Sequence, residues 1–492
     1  MKFAVGTDVG CLDPQQVTSN DSIYSARQVV DSLTDQDAEN GTIAPWLAES
    51  WTTSPDAKTF TFRLRPNVTF SDGTPLTAQT IKKNFDAILN LGPLAQLGQG
   101  FLSGYEGTTA LDPLTAEVKF AQPNAQFLQA SSTLSLSIVS DADTAKTPQQ
   151  RCTDGIAGSG PFVVSSYVAN QSTTLKKRTG YNWGSTLWKK QGEAYLDELV
   201  FPVIPEAGVR IGSLRSGQVQ AISSIGRADE RGLEAAGITL RARTNPGLVF
   251  NLALNNSKPA LQDKAVRQAI LFAVNRQEVV DNILPTGSRP ATSILSHTTP
   301  GFADLGSSLT YDQAKATALL DAAGWKPGDG GIREKGGAKL DLTLVWFPTL
   351  ATNQQVLELI QQQLKKVGIG LTLQNIPQSQ VTSVQKANAF DAMWGNFSRA
   401  DPDALRTVYS TKYTNGFRLS PSELDTVLED QAATVDPDRR AQLVKQAQTL
   451  IVDNAYVVPV VEFVTEFGVH KNVNDLTFDA SGRVFLHDSH LN

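Results

Sequence analysis

Cysteine, methionine and histidine are scarce in this chain of 492 residues, which holds two, two and four of them. Two cysteines cannot build a disulfide-dense scaffold or a four-thiolate zinc site. The histidines, His297, His470, His487 and His490, are scattered, with no HExxH or CxxC and no acidic loop of calcium-binding spacing. His487 and His490 sit three apart, but in the tail they are expected to face solvent rather than a metal. A GxSxG elbow and a Walker loop are also missing. Gly155-Ile-Ala-Gly-Ser-Gly160 is glycine-rich, but Pro161 follows where a phosphate-binding helix would begin. We therefore read it as a turn entering a strand over Phe162–Tyr167. No cofactor is expected, and an enzyme is a distant alternative. Long apolar runs are absent too: Ala455–Val461, among the longest, is far short of the ~20 residues of a membrane span. The 43 basic and 49 acidic residues give a net charge of −6 without a basic stripe, which argues against a nucleic-acid partner. Ahead of the strand-like Lys2-Phe3-Ala4-Val5 there is no export signal. Taken literally this means a cytosolic protein; the alternative is an exported protein whose leader was replaced by Met1.

What is present is an ordinary globular composition, 40% hydrophobic and 19% charged. At ~150 residues per domain the length predicts two or three lobes. Thr59–Leu64 alternates with period two, as a half-buried strand does. Ser71–Pro75 reads as a turn, and Thr77 caps a helix that aligns Ile81, Phe85, Ile88 and Leu89. A helix is also predicted over Tyr24–Leu33. Val266, Ala269, Ile270 and Ala273 form an apolar stripe, with Asn275 and Glu278 capping the next helix. Thr310 and Gln313 suggest another capping box, on a helix that stops at Gly324. Val356, Ile360, Leu364 and Val367 line a helix ended by Gly368 and followed by a strand. Ser420-Pro421-Ser422-Glu423 and Asp436-Pro437 look like helix starts. Strands and helices alternate through the middle of the chain, so the fold class is α/β.

A set of motifs then runs nearly end to end. Gly41-Thr-Ile-Ala-Pro-Trp-Leu-Ala-Glu-Ser-Trp51 is similar to a "PxLAeSW" entry. Ser54–Arg65 with Val68–Ala78 matches "SPDGKTYTFxLRxxVxFxDGxPLTA". Gly158–Phe162 looks like a "GTGPF" turn and Tyr195–Phe201 like a "YLDxIxF" strand. Val266–Arg276 resembles "VRxAlxyAiDR", with Asn275 for the aspartate, and Tyr311–Trp325 resembles "YDPxKAxxLLxeAGW". By these motifs the chain resembles the extracytoplasmic solute-binding proteins of ABC importers, the family that includes oligopeptide-, dipeptide- and nickel-binding proteins. Most of the motif residues read as structural: Trp51 and Trp325 as core aromatics, Arg267 as half of an ion pair.

The resemblance implies a two-lobed periplasmic binding protein type II fold with two hinge crossings. Lobe I would hold residues 1–245 and 462–492, with an inserted subdomain over about 46–156, and lobe II residues 246–461. It implies a receptor outside the cytoplasmic membrane, in the periplasm or lipid-anchored. That receptor would be a monomeric protein that closes on a small organic solute and hands it to permease and ATPase subunits. A sensory or chaperone-like binding protein of the same fold is the alternative.

The resemblance also points to contact residues. Peptide-binding relatives carry a "W…D…DP" segment whose aspartate meets the peptide's α-ammonium. Here the segment is Met393–Asp403, and the aspartate's place falls on Phe397 or Ser398, neither of which bears a charge. This shifts weight from peptides to opines, glycosides or other carboxylates. Trp394 and Phe397 offer flat faces for a solute, with Asn396 and Ser398 beside them. Arg399 offers a bidentate fork for a carboxylate, while Asp401 and Asp403 are expected at a helix start. Ser22 and Tyr24 follow a turn that lines the cleft in relatives. Glu462, at the second crossing, would meet a ligand cation or form a hinge salt bridge. Cys11 and Cys152 both fall in lobe I and by resemblance suit a disulfide tying the first strand to the subdomain boundary. That bond would indicate an oxidising compartment.

Overall fold

Strict alternation of burial shapes the sheets. Along Thr59–Leu64, Phe60, Phe62 and Leu64 are fully buried while Arg63 is exposed, the period-two pattern of a strand with one face on a core. The computed structural model describes residues 1–348, 350 and 352–492. They divide into two compact units: Met1–Arg243, Ala432–Val435 and Thr465–Asn492 in the first, Thr244–Gln431 and Asp436–Val464 in the second.

The first unit has two main cores. One lies under a four-stranded sheet ordered Phe3–Ala4, Ala221–Ser223, Val464–His470, Ile238–Thr244. Phe3 stacks on Tyr24 at 5.7 Å and meets Phe467 edge-on at 5.3 Å. The other core belongs to the antiparallel sheet Ala48–Thr53, Thr59–Leu64, Thr115–Phe120, Tyr105–Asp112. Helix Ala78–Asn90 adds Ile81, Phe85 and Ile88 to it, and its start carries the expected Thr77–Thr80 capping box. The Gly155–Gly160 stretch is packing, not phosphate chemistry. A Cβ on Gly158 would lie 1.8 Å from Val29 O, and one on Gly160 2.5 Å from Val29 C, so only glycine allows that approach. Strand Phe162–Val168 follows directly. Close by, the Sγ atoms of Cys11 and Cys152 are bonded, with Cα atoms 4.0 Å apart. Beside that bond the buried Arg151 pairs with Asp13 at 2.8 Å.

The second unit is a five-stranded mixed sheet ordered Gly370–Asn375, Asp341–Trp346, Ala392–Ser398, Gly247–Leu254, Val457–Val461. Its first three strands are parallel, and Gly247–Leu254 runs antiparallel to both of its neighbours. All eight residues of that strand are buried, as a central strand covered on both faces requires. Val266, Ile270 and Phe272 from helix Lys264–Ala273 and Val356, Ile360 and Leu364 from helix Asn353–Lys365 fill one core. Helix Pro437–Asp453, capped by Asp436, faces the other with Leu443, Val444 and Ala447.

Several expectations need correction. The helix placed over Tyr24–Leu33 starts earlier, spanning Asn20–Ala26, and continues as a 3-10 turn over Arg27–Val29. Asp312, not Thr310, caps helix Gln313–Ala322, because its carboxylate accepts from Lys315 N. The helix after Pro421 starts only at Glu423. Arg267 makes no ion pair among the described residues; it donates to the carbonyls of Leu261, Gln262 and Asn454. Nor is His487 exposed. It is 1% accessible, with Nε2 on Gly192 O and Nδ1 on Asp488.

Candidate functional site

In the second unit, the end of strand Ala392–Ser398 meets the start of strand Gly247–Leu254. Ser398 pairs with Gly247 and Phe397 with Leu248. Gly247 has φ +105°, and a Cβ there would stand 2.3 Å from Phe397 O, so glycine alone permits this closure. Along the strand burial falls from Trp394, which is 2% accessible, through the half-buried Asn396 and Phe397 to the exposed Ser398. Asn396 Nδ2 donates to Ser398 Oγ at 3.3 Å.

Arg399 then turns inward. Its guanidinium lies over the Phe397 ring at 4.9 Å and donates to Thr407 Oγ1 at 3.1 Å. Burial lowers its affinity for a proton, and the carboxylates of Asp403 and Asp401 work against that shift. Those acids are held by other arginines. Arg440 binds Asp401 through two bonds of 2.7 and 2.8 Å. Arg406 binds Asp403 through bonds of 2.8 and 3.2 Å. Two bidentate pairs thus fix the loop before helix Ala404–Tyr409 and hold the acids in structural roles. Tyr413, whose ring lies 5.3 Å from the Arg406 guanidinium, borders the same cluster.

Trp394 is a core residue here. Its indole stacks on Phe250 at 5.2 Å, and Nε1 donates to Asn353 Oδ1 at 3.3 Å. Glu462 has no open oxygen. Oε1 accepts from His297 N at 2.9 Å and Oε2 lies 2.5 Å from His297 Nδ1. Its side chain is 3% accessible, while the imidazole is 34% accessible.

The first unit holds the other two expected contact residues, on helix Asn20–Ala26. Ser22 is 7% accessible and its hydroxyl accepts from Val9 N at 3.3 Å. Tyr24 is packed between Phe3 and Phe467, and burial drives its phenol far above the usual range. Its ring belongs to the core. From the first turn of that helix, Asp21 accepts from Gly6 N, Thr7 N and Ser223 Oγ and so fixes the loop after the first strand.

Asn396, Phe397, Ser398 and Arg399 are therefore brought together at one strand end, and Glu462 is joined to a residue that the sequence did not single out. His297 and Glu462 are 165 positions apart, and no local pattern links them. Arg440, 39 positions from Asp401, was missed for the same reason, whereas Arg406 lies three residues from Asp403 and Thr407 eight from Arg399, spacings that the local sequence could have offered.

The profile of the bacterial extracellular solute-binding proteins, family 5, matches residues 42–418. The chain belongs to that family. It is 27% identical over 477 residues to the nickel-binding periplasmic protein of Escherichia coli K12, covering 92% of this chain and 87% of that one. With the dipeptide-binding protein of the same organism it shares 27% over 474 residues, 90% and 85% of the two chains. The crystal structure of NikA from Brucella suis in complex with Fe(III)-EDTA superposes with a TM-score of 0.85 at 23% identity, covering 100% of this chain and 99% of that one. The fold is that of the family 5 binding proteins of ABC importers, which bind substrates and deliver them to permease and ATPase components and are not enzymes.

Proposed function

We propose that this protein is the extracytoplasmic receptor of an ABC importer. Its two lobes close on a small organic solute, peptide-like or an opine, glycoside or other carboxylate, and the closed form is what the permease recognises. The observation that carries this reading is the end of strand Ala392–Ser398. There half-buried Asn396 and Phe397 and exposed Ser398 adjoin an arginine fixed from behind. Successive strand residues point to opposite faces, so the Asn396 amide and Ser398 hydroxyl make one surface and the Phe397 ring with the Arg399 guanidinium another; the ring and guanidinium suit a ligand with an apolar body and a carboxylate. Asp401 and Asp403 are each paired with an arginine of their own, so neither offers its carboxylate to a ligand cation.

Native mass spectrometry of the freshly purified protein, followed by mass analysis of its denatured extract, tests the proposal. A stoichiometric adduct that becomes a free small molecule on denaturation is expected. Unchanged solute after prolonged incubation agrees with a receptor; turnover of that solute would refute it. Arg399→Gln is expected to weaken retention of a carboxylate solute about tenfold or more.

A further inference from the structure

We infer that Glu462 is a positioning residue and that His297 makes the contact, accepting a hydrogen bond at Nε2 from an amine-bearing solute. The inference rests on the receptor reading above and names the chemistry of one end of its ligand.

The pair is rigidly built. The stretch that carries His297 bridges two strands, Leu248 with Leu295 and Pro290 with Val461. Ser296 N donates to Gly247 O at 2.9 Å, Thr298 Oγ1 to Thr244 O at 3.1 Å, and Gly247 N to Thr299 Oγ1 at 2.8 Å. Glu462 is tied down through its own N–H to Arg289 O at 3.1 Å. A buried carboxylate is costly unless its oxygens are bonded, and both bonds come from His297. Accepting at Oε2 puts the ring proton on Nδ1, which leaves the lone pair of the neutral imidazole on Nε2. Nε2 makes no hydrogen bond among the described residues, on a ring one-third open. A carboxylate that orients an imidazole also makes its far nitrogen a better acceptor.

An acceptor backed by a buried negative charge selects an N–H donor, and a protonated amine above all. Gly247 takes Ser296 N as a donor and pairs with Ser398, so the His297 stretch and the Ser398–Arg399 end adjoin the same residue. A solute with an amine for one and a carboxylate for the other is zwitterionic.

The test uses the full chain. In ¹⁵N-histidine spectra of the ligand-free protein, His297 is expected as the Nδ1–H tautomer. Glu462→Gln, whose amide donates to Nδ1, should convert it to Nε2–H. Calorimetry then uses octopine and tri-L-alanine, with N-acetyl-tri-L-alanine as the amine-blocked control. At least one amine-bearing probe should bind, and Glu462→Gln should weaken it about tenfold with thermal stability retained; His297→Phe should weaken it as much but lower thermal stability too, because Glu462 Oε2 loses its partner. If tri-L-alanine binds, acetylation should abolish its binding. A wild-type Nε2–H tautomer, an imidazolium carrying protons on both nitrogens in the ligand-free protein, binding unaffected by both substitutions, tri-L-alanine binding that survives acetylation, or no binding of either amine would each overturn the inference. An amine-free solute carried through purification would overturn it while leaving the receptor reading intact.

Discussion

Cutting the Cys11–Cys152 bond should destabilise the first unit without altering its folded form. The bond joins residues 141 positions apart. In the chain-entropy account, a loop of that length restricts the unfolded chain by about 5 kcal/mol at 25 °C, and measured losses on removing native disulfides are ~2–5 kcal/mol. Native geometry does not depend on the bond alone. Leu12 N donates to Cys152 O at 3.1 Å, and Arg151, 1% accessible, binds Asp13 at 2.8 Å and Gln15 at 2.6 Å. None of these contacts involves the sulfurs, so they should persist in the reduced protein and the change should fall on the unfolded state. At ~2.1 cal/mol/K per residue, a unit of roughly 270 residues has an unfolding entropy near 0.6 kcal/mol/K. A loss of ~3–5 kcal/mol then lowers the melting temperature of that unit by about 5–9 °C. Differential scanning calorimetry of the oxidised protein, the TCEP-treated protein, and the Cys152→Ala and Cys11→Ala/Cys152→Ala variants provides the measurement. The single and double variants and the reduced protein should agree, because all three remove one crosslink. A shift below ~1 °C in all of them, or two thiols titrating in the denatured unreduced protein, would refute the reasoning.

Other consequences follow from the same geometry. Trp394→Ala should cost ~3–5 kcal/mol in denaturant unfolding, as truncation of a core aromatic does; weakened solute binding at unchanged stability would instead make the indole a contact surface. Arg440→Met should cost ~3–5 kcal/mol by leaving Asp401 buried without its bidentate partner, and Asp401→Asn added to it should restore part of the loss. Glu466, 8% accessible with Oε2 unbonded, is raised to about 7, chiefly by burial and then by Glu230 and Glu234. A carboxyl raised in the folded state holds its proton there longer than in the unfolded chain, so stability should fall as pH rises from about 4.5 to 7. Glu466→Gln should remove that slope and raise stability above pH 7, by up to about 3 kcal/mol; melting curves from pH 4 to 8 that stay parallel to wild type would contradict it.

What the sequence determined by itself is whatever local chemistry specifies. The alternation along Thr59–Leu64, the Thr77, Asn275 and Asp436 caps and the stop at Gly368 are set by neighbours in the chain, and they recur in the structure. The ordered motifs were enough to indicate the family, because a shared fold preserves turns and core residues together. Local signals misled where two of them competed: Asp312 outbid Thr310 as a cap because its carboxylate reaches Lys315 N. The site was only half legible. Asn396 to Arg399 are contiguous, so the segment could be located, but whether Trp394 faces ligand or core depends on Phe250 and Asn353, which are distant in sequence. Only the tertiary structure decided that both oxygens of Glu462 belong to His297, that Asp401 belongs to Arg440, and that Arg267 meets carbonyls rather than an acid. A side chain's partner is fixed by how strands and helices pack in space, and residues 165 positions apart carry no mark of each other until the chain has folded.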